Sequence, residues 1–501
     1  MIFTMQVDYA AFPDIPPNCQ LNPNKNRPGT YQVFRESRVT DEKTGKRKTK
    51  RETIGQIKDG KFVWSELWLE RQRYAELQEE FEQLKASIGA KALEKAQQTK
   101  ALSEKVQARV GKLGAEAGLE TRDEKRVVYP LEPIVLGAMM CALSGSTSCA
   151  DIAQFINGHK DSFAKMYEGF PEGELTHDTV YRAFMCVQSE KFDAFYRKIV
   201  APLIRKTTYR VICGDGQAVR ATGLFDEQKQ ALKGAYMLMN FYDATNGVCL
   251  AQKLIDKKTN EITVGPSMLE SLDIKGAIVT ADAMSCQVGF VDAVLAGGAD
   301  YCISLKGNQD RSWNEVMNLF ATTHSDQIVE FDGGVELNSG RIEHRIVSVI
   351  RGALLCEEIK DKWSELVNGC IVRVRRTCER KRSSHVSTED SYYISSLPFG
   401  PGATKRIAGV IRAHRQIENA LHFRLDVNFD QDRMQAHKAD YSTNRAALNK
   451  MALAMLENYR YWLWDKGLEK TMPSVRQTQM RCRRLEEAVQ CTACSQGLLC
   501  E

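Results

Sequence analysis

The chain has 501 residues, 43% hydrophobic and 27% charged, with a formal net charge of +5. That length suits two to four domains with a core needing no covalent staples, and the balance excludes a collagen-like or wholly disordered chain. No apolar run approaches the ~20 residues of a membrane helix, and the N-terminal MIFTMQVDYAAFPDIPPNCQ lacks the pattern of a secretory leader, so no membrane partner is expected. The fifteen cysteines are scattered singly, as at Cys213, Cys249 and Cys302. They are expected reduced and buried, which makes the cytoplasm the default compartment.

Residues 1–64 are expected to form a basic β-hairpin module, with turns at Thr44-Gly45 and Asp59-Gly60. Between Lys25 and Glu52 stand ten Lys or Arg against four Asp or Glu. That excess fits either a solvated charged tip or an arm that contacts phosphates. Residues 65–120 hold good helix formers and no proline, with Tyr74, Leu77, Phe81, Leu84 and Ile88 spaced 3-4-3-4. The spacing predicts a helical hairpin or a short coiled coil.

Residues 128–206 are expected to be a helical domain, with helix starts at Ser146-Thr147-Ser148 and at Thr176. A helix pair carrying Thr179 and Arg182 could enter a DNA groove, although most such pairs only pack. From 207 the type alternates: strand TYRVICGD, a hairpin turning at Asn246-Gly247, a helix begun by Asn260 or Thr259, then strand, helix, strand. This predicts a mixed α/β domain on a central sheet, running to residue 465. Within it, residues 306–405 are β-rich and carry the basic run Arg373, Arg375, Arg376, Arg380, Lys381 and Arg382. Residues 466–501 are expected to be a polar, basic tail.

Three acids stand out by position. Asp215 is expected at the end of the domain's first strand and Asp282 at the end of a second, where α/β sheets gather ligands. Either could instead be a turn former or a helix cap. Glu418 lies in a helical stretch with His422 and Leu425, on one face at i, i+4 and i+7. Two strand-end aspartates and a helical glutamate offer hard oxygen ligands to Mg²⁺ or Mn²⁺, as two-ion phosphoryl transfer requires. Their spacing is too wide for periodicity to connect them.

The segments GDGQAVRATG, KTNEITVGPSMLESLDIKGAIVTADAMSCQ, GGADYCISLKGNQ, SGRIEHR and HRQIENALHFRLDVNFDQD closely resemble the ISAs-type insertion-sequence transposases, the H-repeat-associated proteins. The likeness runs from about Tyr129 to Leu456. It implies a ribonuclease H-like DDE catalytic domain with a β-rich insertion at 306–405, and Asp215, Asp282 and Glu418 as its metal-binding acids, with two Mg²⁺ or Mn²⁺ ions. It further implies DNA partners (terminal inverted repeats and target DNA), a homodimer or higher synaptic assembly, and work at the bacterial nucleoid. The chain departs from the family at Gln217 (usually Lys), Ala281 (usually Ile) and Arg415 (usually Trp); none of these removes a ligand.

Candidate DNA contacts are Lys306, Asn308 and Gln309 after the strand YCISL, Arg341 on a strand with Glu343 and Arg345, the strand arginines Arg373, Arg375 and Arg376, and Arg412, His414, Arg415 and His422 around Glu418. Asp426 is a candidate helix cap or supporting carboxylate. Cys491, Cys494 and Cys500 give only a weak zinc pattern, and no Walker-type loop is present. A degenerate DNA-binding relic and a stand-alone nuclease of the same fold remain as alternatives.

Overall fold

The computed structural model describes residues 5–40, 46–123, 127–226, 231–255, 260–338, 340–380, 386–400, 402–433 and 438–499. The chain divides into two compact units, Met1–Gln98 and Thr99–Glu501.

The first unit is more than a hairpin. β1 (Met5–Gln6), β2 (Cys19–Pro23), β3 (Tyr31–Thr40), β4 (Arg47–Lys58) and β5 (Lys61–Trp64) form one antiparallel sheet in sequence order. Val7, Ile15, Leu21, Val33, Ile54 and Ile57 make its core. The expected turn between β4 and β5 is present, with Asp59 and Gly60 both at positive φ (50° and 74°), the type I′ geometry that suits Asp-Gly. Thr44-Gly45 lies outside the described residues. α1 (Glu66–Ala117) follows. It is one continuous helix, so the expected hairpin does not form; Gly89, Gly111 and Gly114 are absorbed within it, and only Gly118 (φ 63°) ends it in the left-handed region.

In the second unit, α2 (Leu131–Leu143), α3 (Cys149–Gly158), α4 (Lys160–Met166), α5 (His177–Cys186) and α6 (Ser189–Val200) precede the sheet. Ser148 caps α3 by accepting from the Asp151 amide, and Thr176 caps α5 by accepting from that of Thr179, as expected. The sheet takes β6 (Val211–Val219), β9 (Tyr236–Asp243), β10 (Val248–Ile255), β11 (Ile278–Ala281), β12 (Asp300–Leu305), β13 (Val329–Asn338), β14 (Arg341–Arg351), β15 (Cys370–Arg380) and β16 (Val386–Ser395). β7 (Leu224–Asp226) and β8 (Ala231–Lys233) form a separate ribbon. The sheet order is β10-β9-β6-β11-β12-β16-β15-β14-β13. β11 is parallel to β6 and β12, while β9, β10 and β13–β16 are added antiparallel. The β-rich stretch therefore extends the central sheet through the β12–β16 pairing.

Four elements flank the middle strands: α7 (Glu261–Leu269), α8 (Val288–Ala296), α9 (Asp310–Thr322) and α10 (Glu357–Lys362). Beyond the sheet come α11 (Ala403–His414), α12 (Phe423–Phe429), α13 (Ala439–Asp465), α14 (Val475–Arg481) and α15 (Leu485–Ser495).

Elements on either side of two expected boundaries pack together. The 128–206 helices share one apolar cluster with α13 and with Cys213, Tyr242 and Val248 of the sheet. Within the polar, basic stretch after residue 466, α14 and α15 bury Val475, Val489 and Cys491 in that same cluster. An amphipathic helix contributing few apolar side chains reads as polar in composition while still closing a core.

Candidate active site

The first two acids are brought together by strand register. β11 pairs in parallel with β6, Ala281 opposite Gly214, so Asp215 and Asp282 follow on adjacent strands, which lie ~4.8 Å apart. Asp215 is not at the end of its strand. β6 runs on to Val219, paired with β9 alone because β11 stops at Ala281. The end of β11 therefore opens the sheet beside Asp215. Asp282 is also a cap: its Oδ1 accepts from the amides of Met284 (3.1 Å) and Ser285 (3.4 Å).

Glu418 reaches the same place from the helical side. It lies in a π-helical segment, Ile417–His422, between α11 and α12, where the Phe423 amide bonds back to the Glu418 carbonyl. A π turn is wider than the α turn expected from the sequence and is often found at functional sites. His422 remains on the Glu418 side, its Nδ1 3.6 Å from Asp215 Oδ2. Asn240 lies opposite Asp215 in the β6–β9 register, and its amide nitrogen is 3.4 Å from His422 Nε2. Burial, then the Lys450 charge, lowers the His422 pKa to about 3, so the ring is neutral at pH 7. An Asn240 amide donating to Nε2 leaves the ring proton on Nδ1, facing Asp215.

A fourth carboxylate, Glu261, sits in the cluster, and sequence reasoning missed it. It is the first residue of α7, whose start is fixed by the reciprocal caps of Asn260 and Thr263. A Cβ on residue 216 would stand 2.0 Å from Glu261 Oε1, so only glycine permits this approach. Asp215 registers the crowding. Burial first, then the charge of Asp282, then those of Glu261 and Glu418, push its carboxyl up to about 7, with the Gly216 amide opposing. Glu261 is itself raised, by burial and then by Asp282. A Glu inside the stretch KTNEITV, opening a helix before the second aspartate, was the only available signal.

Two of the residues after β12 brace the site. Asn308 Nδ2 donates to the Ala283 carbonyl (2.5 Å), and Gln309 Nε2 to that of Cys286 (2.8 Å). Both side chains thus brace the loop that follows Asp282, while Lys306 is exposed. His414 is half-buried with Nδ1 unpartnered; burial lowers its pKa, against the charges of Asp282 and Glu418.

The remaining candidates lie farther along the sheet. Arg375 pairs with Asp390 through two bonds of 2.8 and 2.9 Å, and Arg376 with Glu389 at 2.7 Å, a ladder across β15 and β16. Arg373 stacks on Phe320 at 5.0 Å. Arg412 pairs with Glu336, Arg345 with Glu343, and Arg341 is exposed. Arg412 and Arg415 line a cleft of about 430 Å³ between α11 and β13–β16, together with Arg345, Arg376 and Lys405. Asp426 lies by Asp432 and is raised to about 6, by burial and then by that neighbour. Cys491 is buried and Cys494 touches Asn458, so both are packing residues; Cys500 lies outside the described residues.

Among the described residues no three His, Cys, Asp or Glu side chains form a ready-made ion cage. The donors around Asp215 are nonetheless hard carboxylate oxygens, crowded enough to keep one of them from ionising freely. That donor chemistry fits Mg²⁺ or Mn²⁺.

Comparison with known proteins supplies the kinship. Residues 206–455 match the model of the "Transposase DDE domain", and residues 119–200 match its companion "DDE_Tnp_1-associated". The "H repeat-associated putative transposase YbfD" of Escherichia coli (strain K12) is 33% identical over 190 residues, covering 38% of this chain and 73% of that protein.

The chain belongs to the DDE transposase family.

Other relatives of this transposase in the same organism are the "H repeat-associated putative transposase YhhI" (27% identical; 70% of this chain, 90% of the relative) and the "Putative protein YbfL" (29%; 70% and 90%). A solved piggyBac transposase synaptic complex with hairpin DNA aligns at TM-score 0.39 and 9% identity, over 78% of this chain and 81% of that one, too distant to bear on this transposase. Among the described residues no helix is long and apolar enough to cross a membrane.

Proposed function

We propose that this transposase is a Mg²⁺-dependent enzyme that cuts DNA at its element's ends and joins the freed 3′-hydroxyl to target DNA. The observation that carries this is the convergence of Asp215, Asp282 and Glu418, distant in sequence, with each of the latter two acting on the Asp215 carboxyl. The order β10-β9-β6-β11-β12, antiparallel then parallel, supports a ribonuclease H-like catalytic core.

Asp215, Asp282 and Glu418 would hold the ions, with Glu261 beside them. When bound, two divalent ions would activate the attacking oxygen and stabilise the leaving one. The chain's own residues do the rest. Asn308 and Gln309 fix the loop that sets the Asp282 side chain. Neutral His422 stands beside Asp215, its Nδ1 3.6 Å from Oδ2, and adds no charge to the carboxylate cluster. Water attacks the phosphodiester at the element end and the 3′-oxygen leaves as a hydroxyl. In the second step that hydroxyl attacks a target phosphodiester, whose own 3′-oxygen leaves. Arg415, on the helical turn leading into Glu418, would meet DNA phosphates, as would Lys306 beyond β12 and Arg412 once released from Glu336.

The test is incubation with duplexes bearing the inverted repeats that flank the gene. Wild type with Mg²⁺ is expected to nick at the repeat ends and join them to a plasmid; Asp282→Asn should bind the duplex and do neither. Binding without cutting by the wild type would point to a relic, and cutting without joining to a stand-alone nuclease.

A further inference from the structure

We propose that α1 pairs with α1 of a second copy of this chain, as a parallel two-stranded coiled coil over Leu67–Ile88. This deepens the assembly part of the reading above, but it rests on a part of the chain that neither family model reaches.

The observation is a stripe that nothing among the described residues of its own unit covers. Tyr74, Leu77, Phe81, Leu84 and Ile88 are each 58–67% exposed, and Leu67, one heptad before Tyr74, is 59% exposed. Tyr74, Phe81 and Ile88 take the a positions of a heptad and Leu77 and Leu84 the d positions, so all five lie on one side of the helix. A monomer rarely exposes a contiguous apolar patch beyond a few hundred Å². These six side chains expose roughly 700 Å² per chain, so a pair would bury about 1,400 Å², within the ~1,200–2,000 Å² of a standard specific interface. The helix cannot cover the stripe by folding back, because it is unbroken from Glu66 to Ala117. At its start it is anchored to the sheet of its own unit, where Trp68 stacks on Trp64 at 4.8 Å.

The flanking charges identify both the occupant and its direction. The g positions are Arg73, Glu80 and Ser87, and the e positions Arg71, Gln78 and Lys85. In a parallel in-register pair, each g residue faces the e residue five places on in the other helix. Glu80 then meets Lys85 of the second copy twice over, and Arg73 meets neutral Gln78. The antiparallel register that interdigitates Tyr74, Leu77, Phe81 and Leu84 sets Glu80 against Glu80 and Arg71 beside Lys85, and leaves Ile88 opposite Glu70. Over Tyr74–Ile88 the flanking charges therefore favour the parallel pair over that antiparallel one. Within the monomer, Lys85 has an exposed i,i+3 contact with Glu82, at 3.6 Å, which yields readily to a new partner. Past Ile88 the next heptad positions are Lys91 and Lys95, so the seam ends there. A parallel pair places both copies of the basic β3–β4 hairpin at the same end of the coil.

Light scattering on the full chain at micromolar concentration tests this without DNA or metal, so it stands or falls apart from the catalytic reading. Wild type is expected to be a dimer. Leu77→Glu with Phe81→Glu should be a monomer with unchanged helix content, since both sites are exposed. Lys85→Glu should weaken the dimer about tenfold, and adding Glu80→Lys should restore it. Leu77→Cys, with the exposed Cys186 and Cys356 changed to Ser, should give an oxidised, covalently linked pair, because d faces d in the parallel arrangement. A monomeric wild type, or a dimer indifferent to the two glutamates, overturns the proposal. Failure of the Leu77→Cys link, or of the charge swap, in a dimer that the two glutamates do break overturns the parallel orientation.

Discussion

Replacing Asp215 by asparagine should make the metal-free protein more stable, and more so as pH rises. The carboxyl is held at about 7 by burial and by the charges of Asp282, Glu261 and Glu418, against ~3.9 in an unfolded chain. A carboxyl whose pKa is raised by folding keeps its proton in the folded state at pH values where the unfolded chain has lost it. Stability therefore falls as pH climbs from about 4 to about 7 and stays low above that. The span of about three pH units, at ~1.4 kcal/mol each, sets a penalty of about 4 kcal/mol at pH 8 and about 1.5 kcal/mol at pH 5. Asparagine preserves the shape and an oxygen for the His422 proton while removing the charge, so it should recover most of that penalty. At ~2.1 cal/mol/K per residue, the unit of roughly 400 residues should gain about 5 °C at pH 8 and about 2 °C at pH 5. The assay is thermal unfolding in a chelator at both pH values, then with excess Mn²⁺, where the order should reverse because only the wild type gains from the ion. A variant no more stable than wild type at pH 8, or with equal gains at both pH values, would refute the electrostatic account of the cluster.

Other consequences follow from the same geometry. Glu261→Gln should weaken Mn²⁺ binding about tenfold, measured by calorimetry, with the fold intact. Gly216→Ala sets a methyl against the Glu261 carboxylate, which must swing away, and should weaken Mn²⁺ binding about as much as Glu261→Gln does. Asn308→Ala and Gln309→Ala each remove a hydrogen bond to the loop after Asp282, at about 1 kcal/mol. Hydrogen exchange at Ala283–Gln287 should quicken in both, and cleavage should slow without loss of DNA affinity.

Much of this site was legible in the chain. Asp215 and Asp282 stand at or near the ends of apolar runs, which a period-free β pattern locates, and the order of strands and helices over 207–305 followed from turn and cap residues such as Asn246-Gly247 and Asn260. What could not be read depends on registers and turns with no local code. The pairing of Ala281 with Gly214 brings the aspartates side by side, yet nothing near either residue specifies its partner. The π turn around Glu418 has no composition signature, so a simple i, i+4 face was expected there. Glu261 stayed hidden because a Glu at the first position of a helix is ordinary; only Gly216, a strand glycine that its carboxylate needs, shows otherwise. Nor could the sequence show that the helices before residue 206 and α13 after the sheet pack into one apolar cluster, a long-range fact.

The central claim is that carboxylates far apart in the chain share divalent ions, and Mn²⁺ binding to the purified protein tests it most directly. Titration followed by electron paramagnetic resonance is expected to find about two ions per chain, with binding lost in Asp215→Asn and in Asp282→Asn and reduced in Glu418→Gln. A wild type that binds none, or single variants that bind as the wild type does, would contradict it.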